Sequence, residues 1–172
     1  VTQQLPGAAG RRAVRAILID DQGRLILIRR TKQGQAPYWT APGGRVEDGD
    51  GSAEDALRRE LAEELGAEAG RISQVFLIRS PSAAGMAVQH FFVARLRHMD
   101  ETARAGREPA DLSAAGDSVD RVDLRGDDLA AVDLRPDSLK DYILANKETL
   151  LAEARWPGKR AGRHRRTRPC AD

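Results

Sequence analysis

The stretch from Gly43 to Ala67, GGRVEDGDGSAEDALRRELAEELGA, is where the fold of this chain is decided. It opens on a glycine turn, crosses a short acidic loop and enters a helix-forming run. Ser52 stands where an N-cap is wanted, Asp55 follows three residues on as its capping-box partner, and Glu54 with Asp55 suits the positive helix end. Gly66 lies where a left-handed C-terminal cap is required. At about 100° per residue, Leu57, Leu61 and Leu65 form one apolar stripe. Glu60, Glu63 and Glu64, separated by steps of three and four, fall on the neighbouring arc.

Carboxylates gathered beside a buried seam repel one another, and desolvation raises the penalty for keeping them charged. A divalent cation removes that penalty, and hard oxygen ligands suit Mg²⁺ or Mn²⁺, with phosphate oxygens completing the shell. Two plainer alternatives compete. The first is a solvated helix face laced with Arg–Glu pairs. The second is a calcium loop, suggested by the alternation of Asp48, Asp50 and Ser52. That loop fails because its central glycine position holds Ala53 and its closing glutamate position holds Arg59.

Glycine turn, acidic loop, capped helix and an Arg-Glu-x-x-Glu-Glu-x-Gly ending together resemble the signature of the Nudix hydrolase superfamily, the MutT-like domains. Gly44 matches the opening glycine of the family pattern, and Arg59, Glu60, Leu61, Glu63, Glu64 and Gly66 match its second half. Asp50 stands where the family has a loop glutamate, one residue further from the arginine than the pattern has it, and Ala67 replaces a bulky aliphatic. The resemblance implies an α/β fold, an α/β/α sandwich around a central mixed sheet. It implies metal-dependent attack of water on a nucleoside diphosphate linked to another group (a nucleoside triphosphate, an ADP-ribose or a nucleotide sugar). Carried over position by position, Glu60, Glu63 and Glu64 are the expected metal ligands, with a backbone carbonyl at Gly44. Glu60 or Glu64 is expected to orient or deprotonate water, Arg59 to fix a carboxylate, and Asp50 to support from outside the ligand set. Two other functions fit the same pattern: a non-catalytic nucleotide sensor, and an RNA-end pyrophosphohydrolase.

Composition agrees with one compact domain of 172 residues. The net charge of +2 is unevenly spread: residues 155–172 carry +6, leaving −4 for residues 1–154. The folded part therefore gives no reason to expect nucleic-acid binding, which would fall to the basic tail. The expected division is an N-terminal extension, 1–12, the Nudix domain, 13–154, and a basic tail, 155–172. A lone Cys170, no signal-like leader and no membrane-spanning run make a reducing cytoplasm the expected location. A homodimer is compatible with the pattern.

Outward from the helix, Ala13–Ile19 and Leu25–Ile28 read as a hairpin turning at Asp20–Gly23. Arg29 and Arg30 at its end are candidate contacts for substrate phosphate. Pro37–Pro42 reads as a short extended segment whose Tyr38 and Trp39 pack into the core. Ile72–Ile78 and Val88–Leu96 read as strands, the second covered on both faces, with a loop over residues 79–85 between them. Met99–Ser118 reads as a long loop; Glu101, Glu108, Asp111, Asp117 and, just beyond it, Asp120 are candidates for a base outside the signature. Val119–Leu124 reads as the last strand, followed by a helical turn at 127–130 and one closing helix opened by Pro136.

Overall fold

The structure is a computed structural model, described for residues 11–83, 85–100 and 117–155. The hairpin forms as β1, Arg12–Ile19, and β2, Arg24–Arg30. Buried Asp20 shapes its turn, accepting the backbone N–H groups of Gln22 (3.0 Å) and Arg24 (2.8 Å) and the Arg24 guanidinium. A three-residue strand, β3 at Tyr38–Thr40, leads to the glycine turn and to helix α1, Ala53–Leu65. Two long strands follow, β4 at Ala67–Ser82 and β5 at Gly85–Met99, then β6 at Ser118–Asp123. A 3₁₀ turn, β7 at Leu134–Arg135, α2 at Asp137–Ala145 and α3 at Lys147–Arg155 complete the described chain.

The strands make one mixed sheet in the order β4-β5-β1-β2-β3-β7, with β6 paired to β2. The β1–β5 and β3–β7 pairings are parallel and the others antiparallel. Period-two alternation divides the sheet between two cores. Val14, Ala16, Leu18, Ile26, Ile28, Phe92 and Ala94 pack against Leu57, Leu61 and Leu65 of α1. Ile17, Ile19, Leu25, Leu27, Phe91 and Val93 pack against Leu139 and Ile143 of α2 and Leu150 and Leu151 of α3. The expected sandwich of helices on both faces is the fold observed.

The cap reading holds in detail. The Ser52 hydroxyl accepts the Asp55 N–H at 3.0 Å, and Gly66, at φ 59°, donates to the Ala62 carbonyl at 2.9 Å. Elsewhere the boundaries shift. Residues 79–82 are not a loop: the β4–β5 ladder continues to the Ser82–Gly85 pair, because backbone pairing in a long ribbon does not need apolar side chains. Val119–Leu124 is not the last strand, since β7 pairs with β3. The single closing helix is two, separated at Asn146, where φ −122° and ψ 19° leave helical geometry. Residues 1–10 and 156–172, and Glu101, Glu108 and Asp111 of the expected loop, lie outside the described residues. Among the described residues no helix is long and apolar enough to cross a membrane.

Leu61, fully buried between α1 and the sheet, is the clearest anchor of the helix that carries the acidic side chains. Leu61→Ala is expected to lower stability by about 2–5 kcal/mol, read as a lower urea midpoint at unchanged slope.

Candidate active site

The site begins with backbone. Residues after β3 run back along β1, where Ala16 N–H donates to the Pro42 carbonyl (2.8 Å), Val14 N–H to the Gly44 carbonyl (2.9 Å) and Val46 N–H to the Arg12 carbonyl (3.0 Å). Gly43 sits at φ 130°, and a Cβ there would strike the Val14 carbonyl oxygen. A Cβ on Gly44 would overlap the Glu60 carboxylate. Glycine at 43 is therefore required by the β1 backbone, and glycine at 44 is what lets the flexible Glu60 side chain rest on the turn.

Two of the three signature glutamates come to this turn. Glu64 accepts the Gly43 N–H at 2.9 Å, and Glu60 lies against Gly44; both are mostly buried. Glu63, a quarter-turn away, is 44% exposed and faces Arg59 at 3.4 Å. Arg59 ties this half of the site together. It donates to both oxygens of Asp50 at 3.0 Å each, to Glu60 at 3.2 Å and to the Arg45 carbonyl at 3.0 Å. Those contacts raise the Arg59 pKa, the Asp50 hydrogen bond first among them. The Asp50 side chain is only 7% exposed and also accepts the Glu47 N–H at 2.7 Å. The extra loop residue is absorbed ahead of the helix, and the shorter Asp50 still reaches the arginine.

The two candidate phosphate contacts at the end of β2 part company, as period-two alternation requires. Arg30 reaches the site, donating to Glu64 at 2.9 Å and to Asp117 at 2.6 Å. Arg29 lies over the Trp39 ring, 5.7 Å from its centroid. Burial pulls the Arg30 pKa down, but the Asp117 hydrogen bond and the charges of Glu64 and Asp117 outweigh it, and the net shift is upward. Asp117, 5% exposed, also accepts the Thr31 N–H at 3.2 Å. Its carboxylate is thus committed to Arg30 and Thr31, a latch on β2. Asp120 accepts the Trp39 indole N–H at 2.8 Å.

Among the described residues, no three His, Cys, Asp or Glu side chains gather closely enough to hold a metal ion as they stand. The arginines explain this: Arg59 draws Glu60 and Glu63 to one side, and Arg30 draws Glu64 to the other. The chemistry of the donor set nevertheless fits a hard cation. It offers two largely buried carboxylates at a turn whose Gly44 carbonyl, having accepted one N–H, keeps a second lone pair.

Sequence reasoning passed over two features. A cavity of about 710 Å³ opens on the other face of the sheet, between β1, β3, β5 and the start of α2, with Arg15, Thr40, Gln89, Phe91, Asp133 and Asp137 in its walls. Arg15 reaches from that cavity to the glycine turn, donating to the Gly43 carbonyl and, at 3.4 Å, to the Ala41 carbonyl. The available signal was a lone cation in the otherwise apolar run from Ala13 to Ile19.

With this geometry in place, the comparisons with known proteins are direct. The NUDIX domain family model matches residues 9–135, and the chain belongs to that family. It is similar over 65 residues, at 34% identity, to a Bacillus subtilis (strain 168) protein named "Putative 8-oxo-dGTP diphosphatase"; the match spans 38% of this chain and 41% of that relative, about two fifths of its length. In structure it is similar to the E. coli ORF135 protein, with a TM-score of 0.57 and 22% identity over 85% of this chain and 96% of the other. It is also similar to the NUDIX domain of Shewanella oneidensis NrtR complexed with ADP ribose, with a TM-score of 0.59 and 23% identity over 86% of this chain and 94% of the other. These structural likenesses establish the fold.

The Arg59–Asp50 pair gives a pH prediction. The guanidinium hydrogen bond, then the Glu47 N–H, hold the Asp50 carboxyl below its ordinary value. A depressed carboxyl contributes stability that is complete above the unfolded-state pKa, about 3.9, and is lost as pH falls through the lower folded value. Asp50→Asn is therefore expected to reduce stability at pH 7, and its difference from the parent to shrink as pH falls below about 3.9 and through the lower folded value. Urea melts of both proteins across that range check it.

Proposed function

We propose that this chain hydrolyses the pyrophosphate linkage of a nucleoside diphosphate joined to another group, with Mg²⁺ or Mn²⁺ as cofactor. The observation that carries this reading is the seating of Glu60 and Glu64 on the Gly43–Gly44 turn, where Glu64 accepts the Gly43 N–H and the Glu60 carboxylate occupies the space a Cβ on Gly44 would take. Glu60, Glu64 and the Gly44 carbonyl would hold the cation, with Glu63 as the outer carboxylate. When bound, the cation would supply positive charge that offsets the charge building on the transferred phosphoryl group.

The remaining roles belong to the chain. Glu60 or Glu64 orients the attacking water and accepts its proton. Arg59, fixed by Asp50, sets the Glu60 rotamer and keeps Glu63 within reach. Arg30 exchanges Glu64 for substrate phosphate while Asp117 keeps its guanidinium aimed at the site. The cavity behind the turn takes the nucleoside end, with Asp133 and Asp137 as acceptors for hydroxyl or amine groups.

A sensing role is the rival reading. Its support is that arginines already satisfy the acidic groups, so a ligand could be held without turnover. The named relative and the ADP-ribose complex suggest what to offer the protein: 8-oxo-dGTP and ordinary dNTPs, ADP-ribose, dinucleoside polyphosphates and nucleotide sugars, with products identified.

Glu60→Gln and Glu64→Gln are each expected to lower kcat on the best substrate by on the order of 10²-fold or more with Mg²⁺ present. Parent-like rates in both variants, or binding without hydrolysis by the parent across the panel, would replace the enzyme with the sensor.

A further inference from the structure

Among the described residues, no carboxylate meets the Arg15 guanidinium in a hydrogen bond or ion pair. Its neighbours on the same face of β1, Ile17 and Ile19, lie in the apolar core. Its Nη1 donates to the Gly43 and Ala41 carbonyls, and among the described residues Nε and Nη2 reach no protein acceptor. Glu64 and Glu60 act on it only through space, and burial is the largest influence, lowering its pKa from the ordinary arginine value. Even lowered, the guanidinium remains a cation at neutral pH.

The cavity of about 710 Å³ in front of it sharpens the case. Arg135, the other cation in its walls, is already bound to Asp133 at 2.9 Å and lies over the Tyr38 ring at 4.4 Å. Thr40, Gln89, Asp133 and Asp137 offer neutral or acidic groups. Among the described residues, an anion entering this cavity therefore meets one cation with donors to spare. A planar fork with two donors unused matches the paired oxygens of a phosphate, and charge-assisted bonds of this kind are among the stronger polar contacts. Arg15 also touches Gly43, whose N–H holds Glu64, so a phosphate on Arg15 lies beside the turn that bears the catalytic carboxylates.

We propose that Arg15 is a substrate-binding residue that grips a phosphate of the nucleotide from the cavity side, through Nε and Nη2, and thereby selects phosphorylated ligands over nucleosides. This rests on the nucleotide-hydrolase reading above. Arg15 donates to the Gly43 carbonyl and Arg30 to Glu64, which accepts the Gly43 N–H, so both guanidinium groups flank the glycine turn.

The test uses full-length protein, α,β-methylene ADP and α,β-methylene GDP as uncleavable probes, and Mn²⁺ binding as an internal control. Arg15→Gln is expected to weaken the tighter-binding probe by about 10-fold or more, with Mn²⁺ affinity unweakened and KM raised far more than kcat is lowered. Arg15→Lys, which keeps charge but not the fork, is expected to fall between. Unchanged probe affinity in Arg15→Gln overturns the proposal. So does a parallel loss of probe and Mn²⁺ binding, which would reduce Arg15 to a brace for the turn. A parent protein that binds Mn²⁺ but neither probe also overturns it, while one that binds neither metal nor probe removes the hydrolase reading itself.

Discussion

The contact between the Gly43–Gly44 backbone and its two neighbours sets the terms for everything around it. On one side β1 takes the turn into its hydrogen-bonding edge through Val14, Ala16 and Arg12. On the other, α1 presses Glu60 into the space a side chain on Gly44 would fill. Hydrogen bonds fix the height of the turn over the sheet, and the buried Leu57, Leu61 and Leu65 stripe fixes the height of the helix. Neither can move without the other, so the carboxylates inherit their positions from the core. A site built this way has its connecting segment pinned between a strand and a helix.

Around that contact the charges are balanced in two half-sites. Arg59 serves Asp50, Glu60 and Glu63, and Arg30 serves Glu64 and Asp117. Largely buried carboxylates could not remain ionised side by side without such partners. Under the proposed function, the same arginines would be the groups that release the carboxylates and turn to substrate phosphate.

The sequence was most readable where one residue type has one physical use. Ser52 and Gly66 marked the ends of α1 because capping geometry demands them, and the three leucines marked its buried stripe. The strand read as covered on both faces is so covered: Phe91 and Val93 lie in one core, Phe92 and Ala94 in the other. The reading faltered where backbone pairing or distant contacts decide. The tip of the β4–β5 ribbon is held by its ladder, and its polar side chains look like loop. The break at Asn146 falls within a run of good helix formers, where tertiary packing overrides propensity. Within the site, Arg29 and Arg30 looked equivalent until strand parity sent them to opposite faces. Asp117 was one acid among several candidates for a base, and only a pairing across 87 positions reveals it as the partner of Arg30. Arg15 went unremarked because a cation in a strand is ordinary until its unpaired donors and the cavity are seen together.

The central claim is that the glycine turn seats Glu60 and Glu64 so that they can take a divalent cation. Mn²⁺ binding to the full chain, followed by electron paramagnetic resonance in the parent and in Gly44→Ala, tests it most directly. The added methyl must push Glu60 off the turn while leaving the core intact. The account predicts Mn²⁺ affinity at least about tenfold weaker in Gly44→Ala, with an unchanged far-ultraviolet circular dichroism spectrum. Equal Mn²⁺ affinity in the two proteins would contradict it.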